Sequence, residues 1–385
     1  MKKPIIILIS VLLLVGCQQK SSIEQVNNLS ILHLTGSPYE QGYAHGQLLK
    51  KEIHKIIGRW KVEVEETHGK DFDEVIDIFY NSTSYNDTIK KYCPSLIEEV
   101  KGISKGCCID YSTMLAFQMS EEIDALSGEL IASRCTSVSI NKTVTTPTLL
   151  AQNMDPPLFL HGKPILLHIL NDENKSESYI FTFPGFIGLT GLNSNSVGIT
   201  CNGISMLNKS RNGLPVSFIV RSILNQTNEK NAFEFIENIP ISIPQCYTIG
   251  GKTTARCFEC SANQKKEFYP FDNGNISLHT NFAASNRDFN QEFIKVLEVY
   301  GKTINDNYYC PRYFLAYDII EDFNRELDVD KIKSILSSTE SELDPISNKN
   351  TFGCLIMELS ENPVLFLAPG KPDTTMFIRL TFNTK

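Results

Sequence analysis

Cys135-Thr136-Ser137-Val138-Ser139-Ile140 is the stretch on which the reading of the fold turns. Its residues alternate and are rich in β-formers, the period-2 signature of a strand. Upstream the texture is helical. Leu49, Ile53, Ile56, Ile57 and Trp60 form one apolar stripe, and Val75, Ile76, Ile78 and Phe79 a second. Residues 96–103 make a third segment, with Gly106 as its expected C-cap. Residues 38–125 are therefore expected to be mostly helical. Downstream, residues 147–153, 165–170, 179–183 and 197–201 read as strands separated by Asn, Gly and Ser. Helices are predicted over 214–226 and 231–238, strands within 246–260 and over 268–278, a helical stretch over 288–337, and closing strands at 353–358 and 364–367. A helical preface followed by strands, helices and strands predicts layered α+β rather than alternating βαβ units.

The chain has 385 residues, 42% of them apolar, enough for one large core or two small ones. Lys and Arg total 36 against 44 Asp and Glu, a net charge of -8, which argues against a nucleic-acid partner because binding phosphates needs an excess of cations. Lys2 and Lys3 precede an apolar run over residues 5–15 broken only by Ser10. That run is shorter than the ~20 residues a bilayer span takes and has the proportions of a signal-peptide core. It ends in Leu14-Val15-Gly16-Cys17, the pattern of a bacterial lipobox, whose cysteine is diacylated before cleavage. An ordinary secretory signal ending near a cysteine is the competing reading.

The expected organisation is a signal peptide over residues 1–17 with Cys17 as the lipidation site, a polar tether over 18–31, a helical segment over 32–134 and a catalytic core over 135–385. The expected location is the cell envelope, held to the membrane by lipid. Asn-x-Ser/Thr sequons at Asn28, Asn81, Asn86, Asn141, Asn174, Asn208, Asn225 and Asn275 keep a secreted, glycosylated product as the alternative. Of 11 cysteines, setting aside Cys17 and Cys135 leaves an odd number, so at least one thiol stays unpaired or bridges to another chain.

Three motifs fail on context. Gly102-Ile103-Ser104-Lys105-Gly106 matches the nucleophile elbow, which needs a strand before its serine, whereas the residues before it read as helix. Gly250-Gly251-Lys252-Thr253 resembles the end of a P-loop, but the opening glycine is replaced by Cys246. Cys257-Phe258-Glu259-Cys260 lacks a second pair at zinc spacing, and His45, His161, His168 and His279 form no metal motif, so no metal or cofactor is implied.

Chemistry points back to Cys135. A thiol is a nucleophile once it loses its proton, so a base must stand close. No Cys-His-Asn signature surrounds it. If the Arg134–Cys135 peptide bond is cut, Cys135 gains an α-amine, which titrates at roughly 7.7 to 8.0 when unperturbed and can take the thiol proton at neutral pH. Asp155, on a neighbouring strand, could orient that amine.

Arg134-Cys135-Thr136-Ser137 followed by Ala151-Gln152-Asn153-Met154-Asp155 resembles the start of the mature catalytic chain in the isopenicillin N acyltransferase family. That family is related to the choloylglycine hydrolases, within the N-terminal-nucleophile (Ntn) hydrolase superfamily. Further similarities follow in order: Gly36-Ser37-Pro38-Tyr39-Glu40-Gln41-Gly42 with His45-Gly46, the run from Gly188 to Asn202, Gly213-Leu214-Pro215 with Arg221, Leu278-His279-Thr280-Asn281, and the closing strands. Together they run from about residue 32 to residue 372.

The resemblance implies a four-layer αββα sandwich, with Cys135 as both cleavage site and nucleophile. Asp155 would hold the new α-amine, and Asn202 and Asn281 would donate to the oxyanion or order the site. An amide side chain can donate without ionising, which suits a developing oxyanion. The implied partners are a small linear amide or an acyl donor with an amine acceptor. Gln152 stands where choloylglycine hydrolases have arginine, which points to the acyltransferase branch. Arg134 departs from the family's glycine, and no residue is assigned to the family's late arginine. His279 reads as a structural hydrogen-bonder rather than a base. The rival from another class is a binding lipoprotein that keeps the fold without turnover.

Overall fold

A computed structural model describes residues 20–127, 135–171, 176–271, 274–306 and 310–382. The expected signal peptide with Cys17, and Arg134, lie outside the described residues. Strands β1 (Ser22–Val26) and β2 (Leu29–Leu34) come first and pair antiparallel. Part of the stretch read as a tether is therefore sheet. Its polar side chains mislead because β1 is an edge strand with exposed faces, and only β2 is buried.

Seven helices follow: α1 (Pro38–Leu48), α2 (Lys50–His68), α3 (Phe72–Ser82), α4 (Tyr85–Tyr92), α5 (Pro94–Cys107), α6 (Tyr111–Phe117) and α7 (Ser120–Asp124). Ser37 and Glu40 form a capping box at the start of α1, with Pro38 in the first turn. The cap of α5 is not Gly106 but Cys108, which takes the left-handed conformation at φ 62°. Gly106 is reserved for packing. A Cβ there would lie 2.3 Å from the Tyr43 carbonyl oxygen, and one at Gly42 would lie 1.9 Å from that of Glu99. Gly46 and Gly102 meet backbone in the same way, so α1 and α5 dock with their main chains almost touching. The failed elbow motif is one side of this contact.

The remaining strands are β3 (Thr136–Ile140), β4 (Thr148–Met154), β5 (Ile165–Leu170), β6 (Glu177–Thr182), β7 (Thr190–Asn193), β8 (Gly198–Gly203), β9 (Gln245–Gly250), β10 (Ala255–Cys260), β11 (Lys265–Glu267), β12 (Ile276–His279), β13 (Gly353–Leu359), β14 (Val364–Ala368) and β15 (Ile378–Thr381). Helices α8 (Val216–Leu224) and α9 (Glu229–Asn238) fall where expected. The helical stretch predicted over 288–337 divides into α10 (Gln291–Val299), α11 (Pro311–Asp322) and α12 (Val329–Leu336). The strand expected over 268–278 is shorter, because Pro270 cannot donate to a ladder and only its end pairs, as β12.

Among the described residues the strands form two sheets. One is nine-stranded, ordered β1-β2-β5-β6-β7-β8-β9-β10-β11; the other is six-stranded, ordered β12-β3-β4-β13-β14-β15. Among the described strands, only β2 and β5 pair parallel. The sheets face each other through β3, β4 and β13 against β7 to β10. Helices α8 and α9 cover the larger sheet, and α11 and α12 the smaller.

The layering is written in the period of β4. Leu150 packs into the core shared with the larger sheet, while Leu149 and Ala151 pack into the core under α11 and α12. The polar residues obey the same alternation: Gln152 reaches across to the Cys201 carbonyl, and Asn153 donates to Leu336 and Ile346 carbonyls on the helical side. The result is the four-layer αββα stack that the resemblance implied.

Candidate active site

Cys135 stands immediately before β3, where Thr136 pairs with Asn153 of β4, so Asp155, just past the far end of β4, comes alongside it. The Asp155 backbone N–H points at the Cys135 sulfur across 3.5 Å. Both residues line a cleft whose walls include Leu160, Phe183, Phe186 and Leu189. Burial, reinforced by the negative charge of Asp155, pushes the Cys135 thiol up to about 12. As an ordinary peptide-linked residue, the thiol is therefore protonated at neutral pH.

The Asp155 carboxylate is itself held, accepting from Asn348 Nδ2 at 2.5 Å. Asn348 belongs to the turn before β13, and its carbonyl accepts from the Thr351 N–H at 3.0 Å. Sequence reasoning did not single it out, because an asparagine in a turn carries no distinctive pattern.

Arg312 is the larger omission. It is almost wholly buried near the start of α11 and is shared among four partners. Nε donates to Asp344 Oδ1 at 2.9 Å, Nη1 to the Cys135 carbonyl at 3.0 Å and to Thr136 Oγ1 at 3.2 Å, and Nη2 to Asn281 Oδ1 at 3.4 Å. The planar fork of a guanidinium suits this task as an ammonium would not. The only sequence signal is Pro311, which starts the helix and fixes where the next side chain stands.

Of the two asparagines, Asn281 joins the site through Arg312 and commits one amide hydrogen to the Gly203 carbonyl at 3.0 Å. Asn202 lies deeper, on the face of β8 turned to the smaller sheet. Its Nδ2 donates to the His279 carbonyl at 3.4 Å, and its Oδ1 faces Gln152 Nε2 at 3.5 Å. Neither side chain lines the cleft. His279 is fully buried, with Nε2 3.1 Å from Glu259 Oε1. Glu259 in turn accepts the backbone N–H groups of Ala284, Ser285 and Asn286. This network anchors the loop after Asn281, a structural task.

The N-terminal motif also proves to be scaffold. His45 is buried and accepts the Gly185 N–H at 3.0 Å, and burial drops it to about 3, keeping the ring neutral. Arg221 makes a two-pronged buried salt bridge to Glu99, 2.7 Å on each arm. Cys257 and Cys260 are buried free thiols. Among the described residues no group of three or more His, Cys, Asp or Glu is placed to hold a metal ion, and no helix is long and apolar enough to cross a membrane.

Cys135 thus heads a central strand of the αββα stack, beside Asp155. Residues 144–309 match the model of the acyl-coenzyme A:6-aminopenicillanic acid acyl-transferase family. Protein dcd1A of Dictyostelium discoideum is 31% identical over 226 residues, 51% of this chain and 50% of that protein. The 40 kDa form of acyl-coenzyme A:6-aminopenicillanic-acid-acyltransferase from Emericella nidulans is 27% identical over 211 residues, 54% of this chain and 56% of that protein. The chain thus spans about half the length of the curated relatives it matches. A solved N-acylethanolamine-hydrolyzing acid amidase ortholog from Caenorhabditis elegans superposes with a TM-score of 0.44 at 16% identity, over 65% of this chain and 100% of that one.

Proposed function

We propose that the chain is a cysteine Ntn amidohydrolase or acyltransferase that acts on a small linear amide through a Cys135 thioester, after cleavage of its own Arg134–Cys135 bond. The observation that carries this reading is the state of Cys135. It sits in an apolar cleft with its thiol held at about 12, and no imidazole is hydrogen-bonded to it among the described residues. A buried thiol so placed is inert unless a base arrives. Freeing its own α-nitrogen would supply one at the closest possible position, with Asp155 to orient it.

The cycle then balances. The α-amine takes the thiol proton, and sulfur attacks the amide carbonyl carbon. The tetrahedral oxyanion collapses, the C–N bond breaks, and the departing amine leaves with the proton held by the α-ammonium. Water, deprotonated by the α-amine, attacks the thioester and the C–S bond breaks, which returns the thiol. An amine in place of water gives acyl transfer. In this scheme Arg312 and Asn281 are positioning residues. Asn202 orders the interface between the sheets, since its amide hydrogen is directed to His279. Export as a lipid-anchored protein through Cys17 belongs to the same proposal and rests on the leader sequence.

Denaturing mass analysis of wild type beside Cys135→Ala tests it. The expected result is a split beginning at Cys135 in wild type and an intact chain in the variant. An unsplit wild type with no acylation of Cys135 by a p-nitrophenyl ester would favour a binding protein on the same fold.

A further inference from the structure

The cleft around Cys135 has charged lining residues that the proposed cycle does not use. Its walls are apolar over most of their length, but α7 brings Glu121 and Asp124 into the lining. Glu121 lies close enough for its charge to act on Cys135, and its Oε2 accepts from Gln245 Nε2 at 2.8 Å. Asp124 has Oδ1 sealed from solvent without a hydrogen-bond partner. A buried carboxylate oxygen left unsatisfied is costly, so a site built this way calls for a donor from outside the chain.

The surrounding charges make that donor a cation. Glu122 is buried directly behind, its Oε1 occupied by the Val216 N–H and the Ser242 hydroxyl, and Glu63 adds its field to Asp124. Against these carboxyl groups stands Lys209, whose ammonium is turned to the Ala125 carbonyl, with Arg211 beyond it. With no partner bound, burial pushes Glu121 to about 7, and burial with the charges of Glu121 and Glu63 pushes Asp124 to about 7. An incoming ammonium would reverse that and bind their ionised forms.

We infer that the substrate of this cleft is an amphipathic amide that carries an ammonium group, held by Glu121 and Asp124 while its apolar body lies along Phe183, Phe186 and Leu189 toward Cys135. This rests on the proposed function and names its substrate class. A neutral fatty amide would fill the apolar wall and leave Asp124 unsatisfied. An anionic amide would meet like charge in a low-dielectric site, where repulsion is strong.

The test uses the full chain and a matched pair of probes, N-hexanoyl-1,3-diaminopropane and N-hexanoylbutylamine, which differ by an ammonium in place of a methyl. We expect at least a tenfold higher kcat/KM for the cationic amide, carried mainly by KM, and a tenfold or greater fall in that ratio in Asp124→Asn and Glu121→Gln. Wild type alone gives a second reading that needs no variant. Hexylammonium should protect Cys135 from acylation by p-nitrophenyl hexanoate at least tenfold more effectively than hexanol. Equal turnover of the two amides, or equal protection by the two ligands, would overturn the inference and leave the thioester chemistry standing. No acylation of Cys135 by the ester would overturn both.

Discussion

Arg312 Nη1 donates to the main-chain carbonyl of Cys135 across 3.0 Å, while Nε of the same guanidinium is fixed by Asp344. The residue proposed to carry the chemistry is thus held by its backbone, from a helix 177 positions further along the chain. Removing one partner of a buried charge pair costs about 3–5 kcal/mol, because the other is left uncompensated. Arg312→Ala is expected to lower the denaturation free energy by that amount and to abolish processing at Cys135. Arg312→Lys should recover much of the stability but little of the processing, since a lysine cannot span Asp344, Cys135 and Asn281 together. Urea titration and denaturing mass analysis read the two effects separately.

Two helical glycines, Gly58 in α2 and Gly102 at the α1–α5 contact, give opposite expectations from one substitution. Gly58 faces open space in α2, and Gly58→Ala should stabilise by up to about 1 kcal/mol through helix propensity. Gly102→Ala puts a methyl 2.2 Å from the Tyr39 carbonyl oxygen and should destabilise by about 1–3 kcal/mol or more despite the same propensity gain. Urea midpoints of the two variants, moving in opposite directions, check it.

Thiol reactivity should report the cut. In the intact chain Cys135 titrates at about 12, so its alkylation by iodoacetamide is expected to climb about tenfold per pH unit from pH 7 to 10 without a plateau. In the cut chain the new α-amine brings the rise into the range near pH 8. Peptide-resolved labelling of a cleavage-blocked sample beside wild type separates the two profiles. Identical profiles would remove the α-amine from the mechanism.

The carboxyl groups of α7 set a pH dependence of stability. Burial raises Glu122 to about 8, with Glu121 at about 7 adding repulsion. A carboxyl group raised in the folded state releases its proton more easily when unfolded. Its stabilising effect is whole below the unfolded value near 4.5 and fades as pH climbs toward 8. The urea midpoint should therefore fall between pH 5 and 8, and Glu122→Gln should flatten that fall. A variant as pH-sensitive as wild type would refute the assignment.

The sequence carried the layers because period is local: the alternation in 135–140 and the stripe through Ile53, Ile56 and Trp60 are each visible in a short window. Cys135 and Asp155 were legible for the same reason, being joined by one strand pair. Arg312, Asn348 and Asp344 were not. Their roles arise where a distant helix or turn folds back onto β3, and nothing in a local window records the contact. The strand at Ser22–Val26 was hidden differently: an edge exposed on both faces has no apolar alternation to detect.

That hairpin has one more effect. Leu29–Leu34 is zipped beside Ile165–Leu170 in the larger sheet, so the chain ahead of Cys135 and the chain behind it share one ladder. A nick before Cys135 would leave two polypeptides that migrate as one particle, inseparable by gel filtration and parted only by unfolding.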